Sequence, residues 1–427
     1  MKHRMILNKV GPIYYCDISI DNFTILTGAQ ASGKSTVAKA MYFFRTVKDD
    51  ILETIIKRNL SSPLGRTLHN AVTKQLRSKF LQLFGTSRAM NADFSMKYYY
   101  DDNTFINITL KFDEVAYYIA PKYVFISFSQ NITDFLNQYN KINIIHAIPK
   151  EEISNDLNIL FSDEYETIFI PAGRSLITLL TTQLNYIFTL MDDEQKRSID
   201  FCTQKYIERI LKIRSVLSDG IDGYFDNKKK TSVAEINRGL IYKCLLSVNR
   251  VLKGKYVYVD GEERLILENG RFVKINYTSS GQQESVWIFN ILLYQLINGT
   301  KTFIILEEPE AHLYPDAQKE ITELLAMFMS VGNATLITTH SPYVLGSVNN
   351  LLFANYTARR HGITSISEIV DYTKLIPNCD AYFVEQGNIH SCIDKEEMLI
   401  QNEVIDGASS EINAMFDKLL EALNGEI

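Results

Sequence analysis

Cysteine is scarce and unpatterned: Cys16, Cys202, Cys244, Cys379 and Cys392 are five in number, with no CxxC and no Cys/His metal spacing. That argues against a disulfide framework or a cysteine-ligated metal and for reduced thiols. Long apolar runs are missing too. The longest, Val286 to Ile297, is interrupted by Asn290 and Gln295 and is too short to span a bilayer. The start, MKHRMILNKVG, is basic but lacks the continuous apolar core of a signal peptide. A cytoplasmic protein with no membrane partner is therefore expected. There is no excess of basic charge: the net charge is −6, which argues against a general polyanion binder, because such affinity comes from Lys and Arg neutralising phosphates. Repeats, low-complexity tracts and sustained heptads are likewise absent.

What is present is α/β patterning. MILNKV, PIYYCDISI and FTILTG read as three strands before a helix from Lys34, and Asp49 to Phe84 reads as helical. That helical stretch carries Lys57, Arg58, Arg66, Lys74, Arg77 and Lys79, either a solvated face or a DNA-facing one. KYYYDDNTFINITLKF and KYVFISFSQ alternate as a β meander, and ETIFIPAGRS is a buried strand running into a turn and Arg174. Leu176 to Leu252 is expected to be helical with a loop at SDGIDGYFDNKKKTS, and YVYVDGEERLILENGRFVKINY turns through Asp-Gly and Asn-Gly as hairpins.

Four motifs carry chemistry. Gly28-Ala29-Gln30-Ala31-Ser32-Gly33-Lys34-Ser35 fits G-x-x-x-x-G-K-[ST], with the strand before and the helix after that this phosphate loop requires. Its backbone N–H groups and the helix N-terminus would cradle phosphate oxygens; Lys34 would reach the β and γ phosphates of ATP, and Ser35 would hold Mg²⁺. KTFIILEEPEAHLYP delivers Glu307 and Glu308 at a strand end, Glu307 towards the metal and Glu308 towards an attacking water. YTSSGQQESVWIFNILL opens a helix, with Ser280 expected as the cap and Gln283 completing a capping box. ATLITTHSPYVLGSV ends a strand at Thr339 and His340, placing the histidine for contact with the γ-phosphate or the attacking water.

In the order phosphate loop, SSGQQE, LEEPE, TTH, these motifs resemble the ABC-class ATPase heads of the SMC, RecF and OLD-like branch, whose bacterial members are commonly labelled AAA-family ATP-binding proteins. The resemblance implies an α/β fold of ABC-type P-loop NTPase head, with a mixed central sheet, flanking helices, an antiparallel β subdomain and a helical insertion. It implies an N-terminal lobe over 1–174 with an insertion about 48–90, a helical arm over 175–252, a C-terminal lobe over 253–372, and a hairpin with a terminal helix over 373–427.

By position it makes Gly28 to Thr36 the Walker A loop, Ser279, Ser280, Gly281 and Gln282 part of the signature, Glu307 the Walker B acid, Glu308 the general base and His340 the switch histidine. Arg174 is implied to meet phosphate or a neighbouring chain, or else to form a structural ion pair; Gln130 is a candidate Q-loop residue. The resemblance further implies ATP with Mg²⁺ as cofactors and a homodimer sandwiching ATP, with higher oligomers open. A separate effector such as a nuclease or toxin, in an anti-phage or anti-plasmid module, is implied as partner. DNA contact as a repair or chromosome clamp is the alternative, and a nuclease with an unrecognised site is a further one. AYFVEQG superficially resembles the opening of a Toprim nuclease, but the 40 residues after Gly387 are too few for that fold, and YFVEQGNIHSCID reads as a small hairpin before an amphipathic helix through Ile412, Met415, Phe416, Leu419, Leu420 and Leu423.

Overall fold

The computed structural model describes residues 3–60, 67–112, 121–141, 148–179, 190–192, 199–229, 235–394, 397–401 and 414–415. Three short sequences, FTILT, TFIILE and ATLITT, form β3 (Phe23–Thr27), β11 (Thr302–Glu307) and β12 (Ala334–Thr339), and every residue in them is buried. Their continuous apolar character follows from burial on both faces. Ile25, Ile304, Leu306 and Ile337 face one hydrophobic core, while Leu26, Phe303, Ile305 and Leu336 face another.

β3, β12, β11 and β7 (Glu166–Ile170) are mutually parallel neighbours, so their C-terminal ends share one edge. On the far side stand β1 (His3–Val10), β2 (Ile13–Ile20), β4 (Ser95–Tyr99), β5 (Phe105–Phe112) and β6 (Pro121–Phe128), the expected antiparallel meander. The hairpin of β13 (Asp380–Glu385) and β14 (Asn388–Ser391) joins the halves, giving the order β6-β5-β4-β1-β2-β14-β13-β3-β12-β11-β7. A separate three-stranded sheet holds β8 (Lys255–Val259), β9 (Glu262–Ile266) and β10 (Phe272–Lys274). The fold is mixed α/β, a large central sheet flanked by helices.

On one face lie α1 (Lys34–Arg45), α2 (Val47–Leu60) and α3 (Leu68–Phe84), with α4 (Gln130–Lys141) and α5 (Lys150–Leu160) beyond them. On the other lie α6 (Phe201–Arg214), α7 (Gly220–Lys229), α8 (Glu235–Leu252), α9 (Ser280–Asn298), α10 (Pro315–Met329) and α11 (Pro342–His361). α9 is buried along most of its length, Trp287 completely.

The 49–84 segment is helical, in two helices, α2 and α3, with residues 61–66 outside the described set. One expectation needs correction. The loop expected around residue 220 is largely α7: Ile221 and Phe225, one helical turn apart, are both buried, and that packing outweighs the Gly and Asp propensities of the stretch. The terminal amphipathic helix lies outside the described residues except for Ala414 and Met415.

Candidate functional site

The phosphate loop bridges the end of β3 and the start of α1, with Gly28 at φ 139°, Ala31 at φ 60° and Gly33 at φ 109°. Lys34 is 5% exposed, and its ammonium donates to the carbonyls of Gly28 (2.9 Å) and Ala29 (2.8 Å) and reaches Ser32 Oγ at 3.4 Å. Burial pulls the pKa of Lys34 below the usual lysine value, and the Glu308 and Glu310 carboxylates oppose that shift. Gln30, Ser35 and Thr36 complete the loop and first helical turn, with Ser35 exposed.

The acidic pair sits at the end of β11. Glu307 is 5% exposed; its Oε2 accepts from Ala172 N (3.2 Å), while Oε1 is buried with no hydrogen-bond partner. A buried carboxylate oxygen left unpaired is costly, so this residue fits a role as metal ligand. Ser35 and Glu307 are thus the residues that would hold Mg²⁺; the metal would supply charge neutralisation at the phosphates. Glu308 adopts φ 45°, a conformation rare for a side chain with a Cβ, and is fixed there by N–H donation to the Thr338 carbonyl at 2.9 Å.

His340 joins the two halves. Its Nδ1 lies 3.4 Å from Lys34 Nζ and its Nε2 3.4 Å from Glu308 Oε1. The Lys34 ammonium can only donate, so Nδ1 is the acceptor in that contact, while Nε2 and the Glu308 carboxylate stand at ion-pair distance. Lys34, His340 and Glu308 therefore form one polar chain across three adjacent strand ends. Sequence reasoning missed Glu310. Its Oε1 accepts from Thr339 Oγ1 (2.8 Å) and His340 N (2.7 Å), and its Oε2 is buried without a partner. The available signal was a third carboxylate, two positions past the pair, in LEEPE.

Arg174 is wholly buried. Its guanidinium donates to the carbonyls of Pro171 (2.7 Å), Glu307 (2.6 Å), Glu308 (2.8 Å) and Glu284 (3.1 Å), and it pairs with the Glu284 carboxylate at 3.1 Å. Of the expectations for this arginine, the structure gives it the internal ion pair: it ties the β7 turn, the end of β11 and α9 together, and its donors are directed at protein carbonyls. The α9 cap is also shifted by one residue. Ser279, not Ser280, is the N-cap, and Gln282, not Gln283, closes the capping box, because Gln283 is buried and donates instead to the carbonyls of Ile275 and Thr278. Ser279 and Ser280 are exposed, Gln282 also reaches the Leu252 carbonyl (2.6 Å), and Gly281 packs so close to His312 that a Cβ there would lie 2.7 Å from its carbonyl oxygen. The hydrogen bonds of this helix start therefore lie apart from the Lys34–His340–Glu308 chain.

Gln130 opens α4 and donates to Asp134 on the same helix (2.9 Å). Of the basic residues of α2 and α3, Lys79 donates to Thr46 and Asp50, Arg77 to the Val124 carbonyl and Arg58 to Asn140, whereas Lys57 pairs with Glu53 on the exposed surface of its own helix and Lys74 is exposed. Arg66 lies outside the described residues. Beside Ser35, Thr36 and Lys39 opens a cavity of about 570 Å³, walled by Lys9, Gly11, Phe84 and Met90 among others. Among the described residues no helix is long and apolar enough to cross a membrane.

Loop, strand order and acidic edge define a P-loop nucleotide-binding protein. Residues 23–346 match the family described as "AAA domain, putative AbiEii toxin, Type IV TA system", and the chain belongs to that family. No curated protein matches the sequence. Similar solved structures include the Smc head domain of Pyrococcus furiosus bound to the C-terminal domain of ScpA, with 12% identity, TM-score 0.38, covering 96% of this chain and 99% of that one. The SMC head domain of Thermotoga maritima aligns at 11% identity and TM-score 0.36, covering 91% and 97%. An Smc head bound to the C-terminal winged-helix domain of ScpA aligns at 12% identity and TM-score 0.40, also covering 91% and 97%.

Proposed function

We propose that the chain hydrolyses ATP as an ABC-type ATPase of the OLD-like branch, closes as a homodimer around ATP with Mg²⁺, and gates a separate effector in a bacterial defence module. The observation that carries the reading is the polar chain of Lys34, His340 and Glu308 at the parallel strand edge, with the unpaired Glu307 oxygen beside it. In that reading Lys34 neutralises the β and γ phosphates, Glu308 takes the proton of the attacking water, and His340 links the two so that the base responds to phosphate. The cavity next to Ser35 and Thr36 has the size of a small-molecule site and would take base and ribose.

Dimerisation is supported by exposed aromatics that follow or precede the motifs: Tyr277 at 80%, Tyr314 at 76% and Tyr343 at 56% exposure, a composition suited to an interface. Ser280 and Gly281 of one copy would then face the phosphate held by Lys34 of the other. The toxin–antitoxin wording of the family description supports a defence setting. The internal bonds of Arg77 and Lys79 weigh against the DNA-clamp alternative.

The test is a tagged chain compared with Lys34→Ala. The unaltered protein is expected to release phosphate from ATP with Mg²⁺ and to retain a protein partner from its host when ATP is present. Lys34→Ala is expected to lose both, with nucleotide binding weakened at least tenfold. Equal phosphate release by the two would sink the catalytic assignment, and recovery of DNA with no protein would sink the effector reading.

A further inference from the structure

The matched family region ends at residue 346, yet the phosphate loop leans on the hairpin that follows it. β13 runs parallel to β3 with Phe383 opposite Thr27, so Val384 comes level with Gly28, and the turn over 385–388 projects beside the loop. A Cβ on Gly28 would overlap the Val384 carbonyl oxygen. At the turn, Gly387 takes φ 78°, and a Cβ there would sit 2.6 Å from the Pro12 carbonyl oxygen and 2.9 Å from Tyr14 N. The Gly387 carbonyl accepts from both Tyr14 N (2.7 Å) and Tyr15 N (3.1 Å). Ile13, the first residue of β2, in turn lies against Gly33, the last loop residue before α1. Three turns distant in sequence, at 11–13, 28–33 and 384–387, thus close on one another; at Gly28 and Gly387 the contact is with backbone and admits no extra carbon, while at Gly33 it is with the side-chain end of Ile13.

We propose that the turn at 384–388 is a positioning element for the phosphate loop: it fixes the loop's backbone so that its N–H groups already face phosphate, and displacing the turn loosens the loop. The inference rests on the reading of residues 28–36 as the phosphate cradle only for its effect on ATP, not for the mechanical coupling itself. Preorganised backbone donors bind more tightly because no ordering cost falls on the ligand, so loosening them weakens ATP binding without touching Lys34.

The experiment is hydrogen exchange of the nucleotide-free protein, comparing the unaltered chain, Gly387→Ala and Gly270→Ala. Gly270 has nearly the same backbone conformation, φ 75°, but a Cβ there meets nothing within 4 Å, so it reports the backbone penalty alone. Gly387→Ala is expected to speed exchange at Ser32, which donates to the Ala29 carbonyl, and at Val37, which donates to the Gly33 carbonyl, by about tenfold or more; Gly270→Ala leaves both as they were. A folded Gly387→Ala with unaltered exchange at those amides would overturn the proposal.

Where that variant does not fold, the unaltered chain decides the matter in sub-denaturing urea. One shared opening transition for the amides of 25–34 and 382–390 supports coupling, and hairpin amides that open while the loop stays protected overturn it. ATP affinity is measured alongside and is expected to fall about tenfold in Gly387→Ala. Absence of ATP binding by the unaltered chain would count against the nucleotide reading, while the exchange data still decide the turn.

Discussion

Glu310 turns a lone histidine into a held one. By accepting from Thr339 Oγ1 and His340 N, it fixes the backbone from which the imidazole spans Lys34 and Glu308. In Glu310→Ala both bonds go, and kcat is expected to drop about tenfold, equivalent to roughly 1.4 kcal/mol of barrier, with little change in KM. Glu310→Gln keeps an acceptor oxygen and should restore part of the loss; steady-state phosphate release measures both, and an Ala variant with unchanged kcat would remove Glu310 from the machinery. His3 is a second informative residue, buried between Tyr98, Arg45 and Ser162 far from the loop. Burial, assisted by the Arg45 charge, lowers its pKa to about 4. The folded protein therefore keeps this histidine neutral below the pH at which the unfolded chain protonates it, near 6.5, so stability falls as pH drops from about 6.5 to 4. Between pH 7 and 4.5 the native chain is expected to lose about 2–3 kcal/mol more than His3→Gln in urea unfolding; parallel pH dependence of the two would contradict this.

At the level of elements, the site edge is held by one buried cation. Arg174 ties the turn after β7 to the end of β11 and to Glu284 on α9. Arg174→Met leaves Glu284 without its charge partner inside the core and is expected to cost about 3 kcal/mol or more in urea unfolding. Arg174→Met with Glu284→Met should recover part of that; a single variant within about 0.5 kcal/mol of the native protein would show that the contact is not structural. Strands β3, β11 and β12 were legible because burial on both faces writes an uninterrupted apolar run, and the loop and acidic pair were legible because they follow those runs directly. The α9 cap slipped by one position because Ser279 and Ser280 are each followed three residues later by a glutamine, and only burial of Gln283 separates them. The β13–β14 hairpin was readable from its local pattern, but its place between β2 and β3 was not. Its pairing partners lie more than 350 residues away and leave no local mark. Glu310 and the carbonyl contacts of Arg174 escaped for the same reason: hydrogen bonds between distant segments have no periodicity.

For the whole molecule, the central sheet gathers the phosphate loop, the acidic strand end and His340 on one edge, while the start of α9 makes its hydrogen bonds elsewhere. On the proposed reading, a second copy closing around ATP would bring its own α9 start to this edge. Glu308→Gln keeps the size of the side chain and removes its ability to take a proton, so ATP should bind, persist and hold two copies together. The most direct test is the mass of Glu308→Gln in solution by light scattering, with and without ATP and Mg²⁺, alongside the nucleotide retained. The expected result is a shift from 48.9 kDa to twice that mass, with intact ATP recovered from the dimer. A protein that stays at 48.9 kDa with ATP bound would contradict the ATP-closed dimer, and one that turns ATP over at the native rate would contradict the assigned base.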